Sequence, residues 1–91
     1  MFLHLGGDVV VAKKDVIMIL DARTKKSPFV KEFLEIAEDE GFIKLISEKE
    51  KEKSLIITTK EVFLSPISCT TLKKRSENVL NTVDIKEFNR G

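Results

Sequence analysis

The sequence has no tryptophan, no tyrosine, one cysteine and one histidine among its 91 residues. Each scarcity excludes something. A single cysteine, Cys69, rules out an intrachain disulfide and makes a cytoplasmic protein the expectation. One histidine and one cysteine leave no metal-ligand spacing, so neither a metal nor a cofactor is expected. There is no nucleophile with an evident base and no phosphate-cradling glycine loop followed by a helix. The chain is therefore expected not to be an enzyme, with no catalytic residue to name. No apolar run approaches the roughly 20 residues of a membrane span. Lys13, Lys14 and Asp15 interrupt the N-terminal apolar segments, so no secretory signal is read and no membrane partner is expected.

What is present is ordinary globular composition, 42% hydrophobic and 34% charged, enough for one small domain with a modest core. The clearest element is a helix over Ser27–Gly41. Ser27 suits the cap, Pro28 the first helical position, and Gly41 the left-handed stop. Phe29, Val30, Phe33, Leu34, Ile36 and Ala37 recur every three or four residues, a stripe that needs a sheet to cover it. One lysine against five carboxylates gives this segment a net charge of −4. The whole chain carries +1, so the remainder carries +5. Such a domain can present a basic face to an anionic partner.

Upstream, Phe2–Leu5, Asp8–Ala12 and Asp15–Asp21 read as three strands of a meander, separated by Gly6-Gly7 and Lys13-Lys14 turns. The third is apolar on both faces and predicts a central strand. His4, alone among apolar neighbours, reads as a partnered structural residue. Asp8, Asp15 and Asp21 stand at strand ends, where carboxylates favour turns. Arg23, Lys25 and Lys26 make a basic loop before the helix, fitting either solubility or an anion.

Downstream, Phe42–Ser47 and Lys53–Thr59 read as a hairpin whose tip is the alternating tract Glu48–Lys53. In an extended arm, period two puts Lys49, Lys51 and Lys53 on one side and Glu48, Glu50 and Glu52 on the other. The same residues also fit a solvated tip of paired charges. A last strand, Glu61–Ser65, stops at Pro66. Ser68 then caps a C-terminal helix with a seam of Leu72, Ser76, Val79 and Val83, flanked by Lys73, Lys74 and Arg75. Cys69, near that helix start, reads as incidental rather than redox-active. The resulting fold class is α+β: a small antiparallel, meander-type sheet, one central helix and a C-terminal helix. One domain spans 1–83, and 84–91 is read as a tail.

These residues resemble a known family. Phe2-Leu3-His4-Leu5-Gly6-Gly7-Asp8 with Val9-Val10-Val11, Asp15-Val16-Ile17, Ser27-Pro28, Ser54-Leu55-Ile56-Ile57-Thr58 and Ser65-Pro66-Ile67-Ser68-Cys69-Thr70-Thr71-Leu72-Lys73-Lys74-Arg75 are similar to the bacterial extracellular-matrix regulators RemA and RemB, and within them to the RemB branch. The resemblance implies a LytTR-like fold, a closed ring of subunits, and control of biofilm matrix genes through DNA. In RemA proteins arginines of the hairpin after the central helix bind DNA. Their Gly-Arg-Arg-Thr-Arg pattern falls here on Lys49-Glu50-Lys51-Glu52-Lys53, with Glu50 reversing one charge, while Arg75 keeps a late arginine.

The expected function is thus an oligomeric DNA-binding transcriptional regulator. It would touch the phosphates of double-stranded DNA through Lys49, Lys51, Lys53, Lys73, Lys74 and Arg75. The alternative is an oligomeric adaptor that binds no DNA and partners a DNA-binding paralogue. Glu50 favours the adaptor; the lysines favour DNA.

Overall fold

The computed structural model describes residues 1–48 and 50–80, with side chains through Ser76. The elements run β1 (Phe2–Gly6), β2 (Val9–Ala12), β3 (Val16–Asp21), α1 (Pro28–Asp39), β4 (Ile43–Leu45), β5 (Ser54–Thr58), β6 (Val62–Ser65) and α2 (Cys69–Leu80). The class is α+β. The layering differs from a meander. β1 and β2 form their own antiparallel hairpin, and the other strands form a mixed sheet in the order β3-β5-β6-β4.

Three expectations are corrected here. β3 does not extend the β1–β2 hairpin; it pairs only with β5, Met18 opposite Ile57 and Leu20 opposite Leu55. It is an edge strand rather than a central one, with Ile17 and Met18 exposed. β4 and β5 do not form a hairpin, because β6 lies between them, antiparallel to β5 and parallel to β4. The reason is the helix. β3 and β4 run in the same direction at opposite edges of the sheet, and parallel strands need a long crossover, which α1 supplies.

α1 begins at Pro28, which needs no N–H partner there. Ser27 caps through its backbone rather than the expected hydroxyl: Lys31 N–H donates to Ser27 O at 2.9 Å, and the side chain makes no capping bond. The helix ends in a Schellman arrangement. Gly41 has φ +79°, its N–H donates to Glu38 O, and Phe42 N–H donates to Ala37 O at 2.8 Å. Gly6, at φ +121°, similarly turns the chain out of β1, where a Cβ would press on Ile46.

Strand alternation sorts the core into two sides. Leu55, Val62 and Leu64 face α1 and pack with Ala37, Val30 and Leu34. Ile56 and Phe63 face the other way and pack with Leu3, Leu5 and Leu72. The molecule is therefore three layers: α1, the four-stranded sheet, and the hairpin together with α2. His4 Nε2 lies 2.8 Å from Gly7 O, the expected structural partnership. Val83 and 84–91 lie outside the described residues.

Candidate nucleic-acid interface

The β4–β5 connection carries the alternating charges, and its backbone is a turn rather than an extended arm. Lys51 N–H donates to Glu48 O at 3.0 Å, and Glu50 takes φ +69°, a left-handed conformation. The strict separation of lysines from glutamates is therefore corrected. Glu48 is exposed and lies 3.6 Å from the Lys51 ammonium. Only the last part of the tract alternates as expected: Lys51 and Lys53 are exposed and Glu52 turns inward. There the chain rejoins the sheet, with Lys53 N–H donating to Ser65 O and Ala22 N–H to Lys53 O. Lys49 lies outside the described residues.

Glu52 anchors the loop. Its side chain is 5% exposed and pairs with Lys25 at 2.5 Å. Burial pushes its carboxyl up. The hydrogen bond from Lys25, backbone donors and the Lys25 charge outweigh that, and its pKa falls below the ordinary value. The preceding basic segment, a 3-10 turn over Ala22–Lys26, is thus partly neutralised from within. Lys25 is committed to Glu52, and Arg23 is committed to Asp21 at 2.9 Å. That guanidinium, with the Arg23 N–H, holds the Asp21 carboxyl down to about 2.

On α2, Ser68 is the expected cap: Thr71 N–H donates to Ser68 Oγ at 3.1 Å. Lys73 and Lys74 are exposed. Arg75 is half-buried and donates from Nη1 to His4 O at 3.1 Å, so it also pins α2 to β1. The Lys13 ammonium adds a second pin by donating to Ser76 O; burial lowers its pKa. Cys69 Sγ is half-buried, 3.8 Å from Ile19 O.

The structure does not join the two basic groups into one cluster. Lys51 and Lys53 sit on a loop tied to the α1 side through Lys25, whereas Lys73–Arg75 belong to the layer on the other side of the sheet. Among the described residues no hydrogen bond or ion pair links that loop to α2. Lys53, Lys73 and Lys74 make no ion pair there either. Two features lie beyond the sequence pattern. The Lys25–Glu52 pair joins residues 27 positions apart, which no local pattern signals. A groove over α1 and β3, lined by Met18, Phe29, Phe33 and Ile57 among others, stays hidden when the helix stripe is taken as wholly covered. No group of three His, Cys, Asp or Glu is placed to hold a metal among the described residues, and no described helix is long and apolar enough to cross a membrane.

Among the described residues the site is thus a set of exposed basic side chains on a small mixed sheet and its C-terminal helix. The comparisons place the chain. The family model for RemA-like proteins, described as extracellular matrix regulatory protein A-like, matches residues 2–75. Extracellular matrix regulatory protein B of Bacillus subtilis (strain 168) is 36% identical over 77 residues, covering 85% of this chain and 91% of that protein. The chain belongs to the RemA-like family.

Proposed function

We propose that this chain is an oligomeric DNA-binding transcriptional regulator of extracellular matrix genes, with a fold of the LytTR kind and cytoplasmic in location. Lys51 and Lys53 on the β4–β5 loop, with Lys49 of the same tract, and Lys73 and Lys74 on α2 contact duplex phosphates; Arg75 contributes charge while holding α2 to β1. The observation that carries this reading is the exposure of Lys53, Lys73 and Lys74 without an ion-pair partner among the described residues, whereas Arg23 and Lys25 are already paired. Lysine serves as a point charge for phosphate and lacks the arginine fork, which suits sequence-tolerant contact. Self-assembly into a closed ring repeats these weak contacts and adds them through effective concentration.

The second reading, an adaptor that binds no DNA and partners a DNA-binding paralogue, is favoured by Glu48 and Glu50, both exposed beside Lys51. A gel-shift on duplex DNA at two salt concentrations tests both. Affinity should fall with salt by a slope of roughly 0.9 per phosphate neutralised. Lys51→Ala with Lys53→Ala should weaken binding to all duplexes alike and flatten that slope, and Glu50→Arg should strengthen binding. An unchanged slope in the double variant removes the loop from the interface. No shift in wild type at low salt, with a shift in Glu50→Arg, establishes the adaptor reading.

A further inference from the structure

The basic turn before α1 fits either solubility or an anion when read as sequence, and the structure supplies the anion from the chain itself. Asp21, at the end of β3, pairs across the sheet with Ser54, the first residue of β5. The turn Ala22–Lys26 and the end of the β4–β5 loop therefore leave the sheet side by side, joined by the hydrogen bond from Ala22 N–H to Lys53 O at 3.0 Å. The turn is fixed at its own start: the Asp21 carboxylate accepts from the Arg23 N–H and guanidinium, and Thr24 Oγ1 donates to Asp21 O at 2.7 Å. At its end it runs into α1 at Pro28. This frame holds Lys25 over the loop, where its ammonium meets the Glu52 carboxylate. Glu52 stands between the Glu48–Lys51 turn and the tie of Lys53 N–H to Ser65 O, so it joins the free part of the loop to the sheet.

We infer that Lys25 is a positioning residue for the DNA-contacting loop: by holding the Glu52 carboxylate inward it sets the charge that Lys51 and Lys53 present, without touching DNA itself. The inference rests on the proposed function and adds to it a residue outside the loop that controls the loop. The Glu52 side chain is 5% exposed, so without Lys25 its carboxylate is a buried charge with no cation on it. Such a charge is costly where it stands, and turning out to water relieves it. Among the described loop residues, Glu48 and Glu50 already stand exposed with Lys51 and Lys53, two charges of each sign. Releasing Glu52 adds a third carboxylate and turns a balanced loop net negative, which repels phosphate. Lys31 also lines the groove between α1 and the loop, but it makes no ion pair with Glu52. The movement stays local, because the β5–β6 ladder that starts at Ser54 and Ser65 does not pass through Lys25.

The test compares wild type, Lys25→Met, Lys25→Arg, and two double variants of equal net charge, Lys25→Met with Glu52→Gln and Lys25→Met with Glu35→Gln. Glu35 lies on α1 in the same groove and outside the loop. Circular dichroism checks that each folds. One readout is the rate of limited trypsin cleavage after Lys51 and Lys53 without DNA; the other is gel-shift affinity for one duplex at low salt. Lys25→Met should speed the cleavage about tenfold, as the loop opens locally, and weaken the affinity about fivefold. Lys25→Arg should restore both. Adding Glu52→Gln to Lys25→Met should restore the affinity, and adding Glu35→Gln should not. Unchanged cleavage in a folded Lys25→Met overturns the hold of the pair on the loop. Equal recovery with Glu35→Gln makes Lys25 a mere source of net charge, and no recovery with Glu52→Gln makes it a direct contact; either overturns the positioning role. A wild type that binds no DNA overturns the proposed function and with it the role of Lys25 at the interface, while the cleavage rates still decide whether the pair holds the loop.

Discussion

Ser65 closes the corner that aims α2, and removing its hydroxyl should destabilise the whole domain. Ser65 is fully buried. Its Oγ donates to Leu5 O on β1 at 2.6 Å and accepts from Ile67 N–H at 3.0 Å. Directly across the ladder, Ser54 Oγ donates to Ile67 O at 2.7 Å. Two buried serines thus hold both backbone polar groups of Ile67 where the chain leaves β6 past Pro66. Ser65→Ala removes only an oxygen, so the cavity contribution is small. What it leaves is the buried Leu5 carbonyl and the half-buried Ile67 N–H, each missing one partner. The net hydrogen bond and the desolvation of those groups together cost about 2–3 kcal/mol. For a domain of this size that lowers Tm by roughly 10–20 °C. The assay is urea unfolding followed by circular dichroism; the midpoint should fall with an unchanged m-value. Ser54→Ala should do likewise, and the double variant should depart from additivity because both serines act on Ile67. An unchanged midpoint in Ser65→Ala would show that the corner is held by packing alone.

Glu52→Gln should lose about 1 kcal/mol at pH 7, the pair being only partly solvated. Because the folded carboxyl lies below its ordinary 4.5, this stabilisation is present above pH 4.5 and vanishes as pH falls through the folded value; urea midpoints of variant and wild type should converge once the pH lies below that value. Leu72→Ala empties a fully buried position between α2 and the hairpin and should cost about 2–5 kcal/mol by the same measurement. Glu50→Gly relieves a left-handed φ and should raise stability by about 0.5–1 kcal/mol; a lower midpoint would mean that the Glu50 side chain contributes more than its backbone costs.

The parts of the fold legible in the sequence are those set by short-range chemistry. Pro28 and Gly41 bracket α1, Gly6-Gly7 turns β1 into β2, and Ser68 caps α2, because each acts on backbone within a few residues of itself. Strand pairing is a different matter. Ile17, Met18, Ile19 and Leu20 are apolar in succession, which is also the pattern of a buried central strand. Half of that run is exposed, since β3 is an edge strand and α1 covers only the face beneath Val30 and Leu34. Nothing in the run distinguishes apolar surface covered within the chain from apolar surface left open. Likewise β4 and β5 follow one another with a polar connection, as hairpin strands do, and only the insertion of β6 between them shows otherwise.

The candidate site was legible as a list of residue types but not as a shape. Alternating Glu and Lys predicts two-sided charge only if the backbone is extended, and a left-handed Glu50 breaks the period at the second glutamate. Beyond it the alternation holds because an outside partner enforces it: Lys25 draws Glu52 in, and Lys51 and Lys53 are left outward. The loop's basic side is therefore a tertiary product. The Lys25 ammonium contributes no free charge of its own to that surface. By taking up the Glu52 carboxylate, it removes that one charge from the exposed side on which Lys51 and Lys53 stand. This makes the pair a direct link between the α1 layer and the charge of the loop. A change at Lys25 should alter the loop's electrostatics although Lys25 lies outside it.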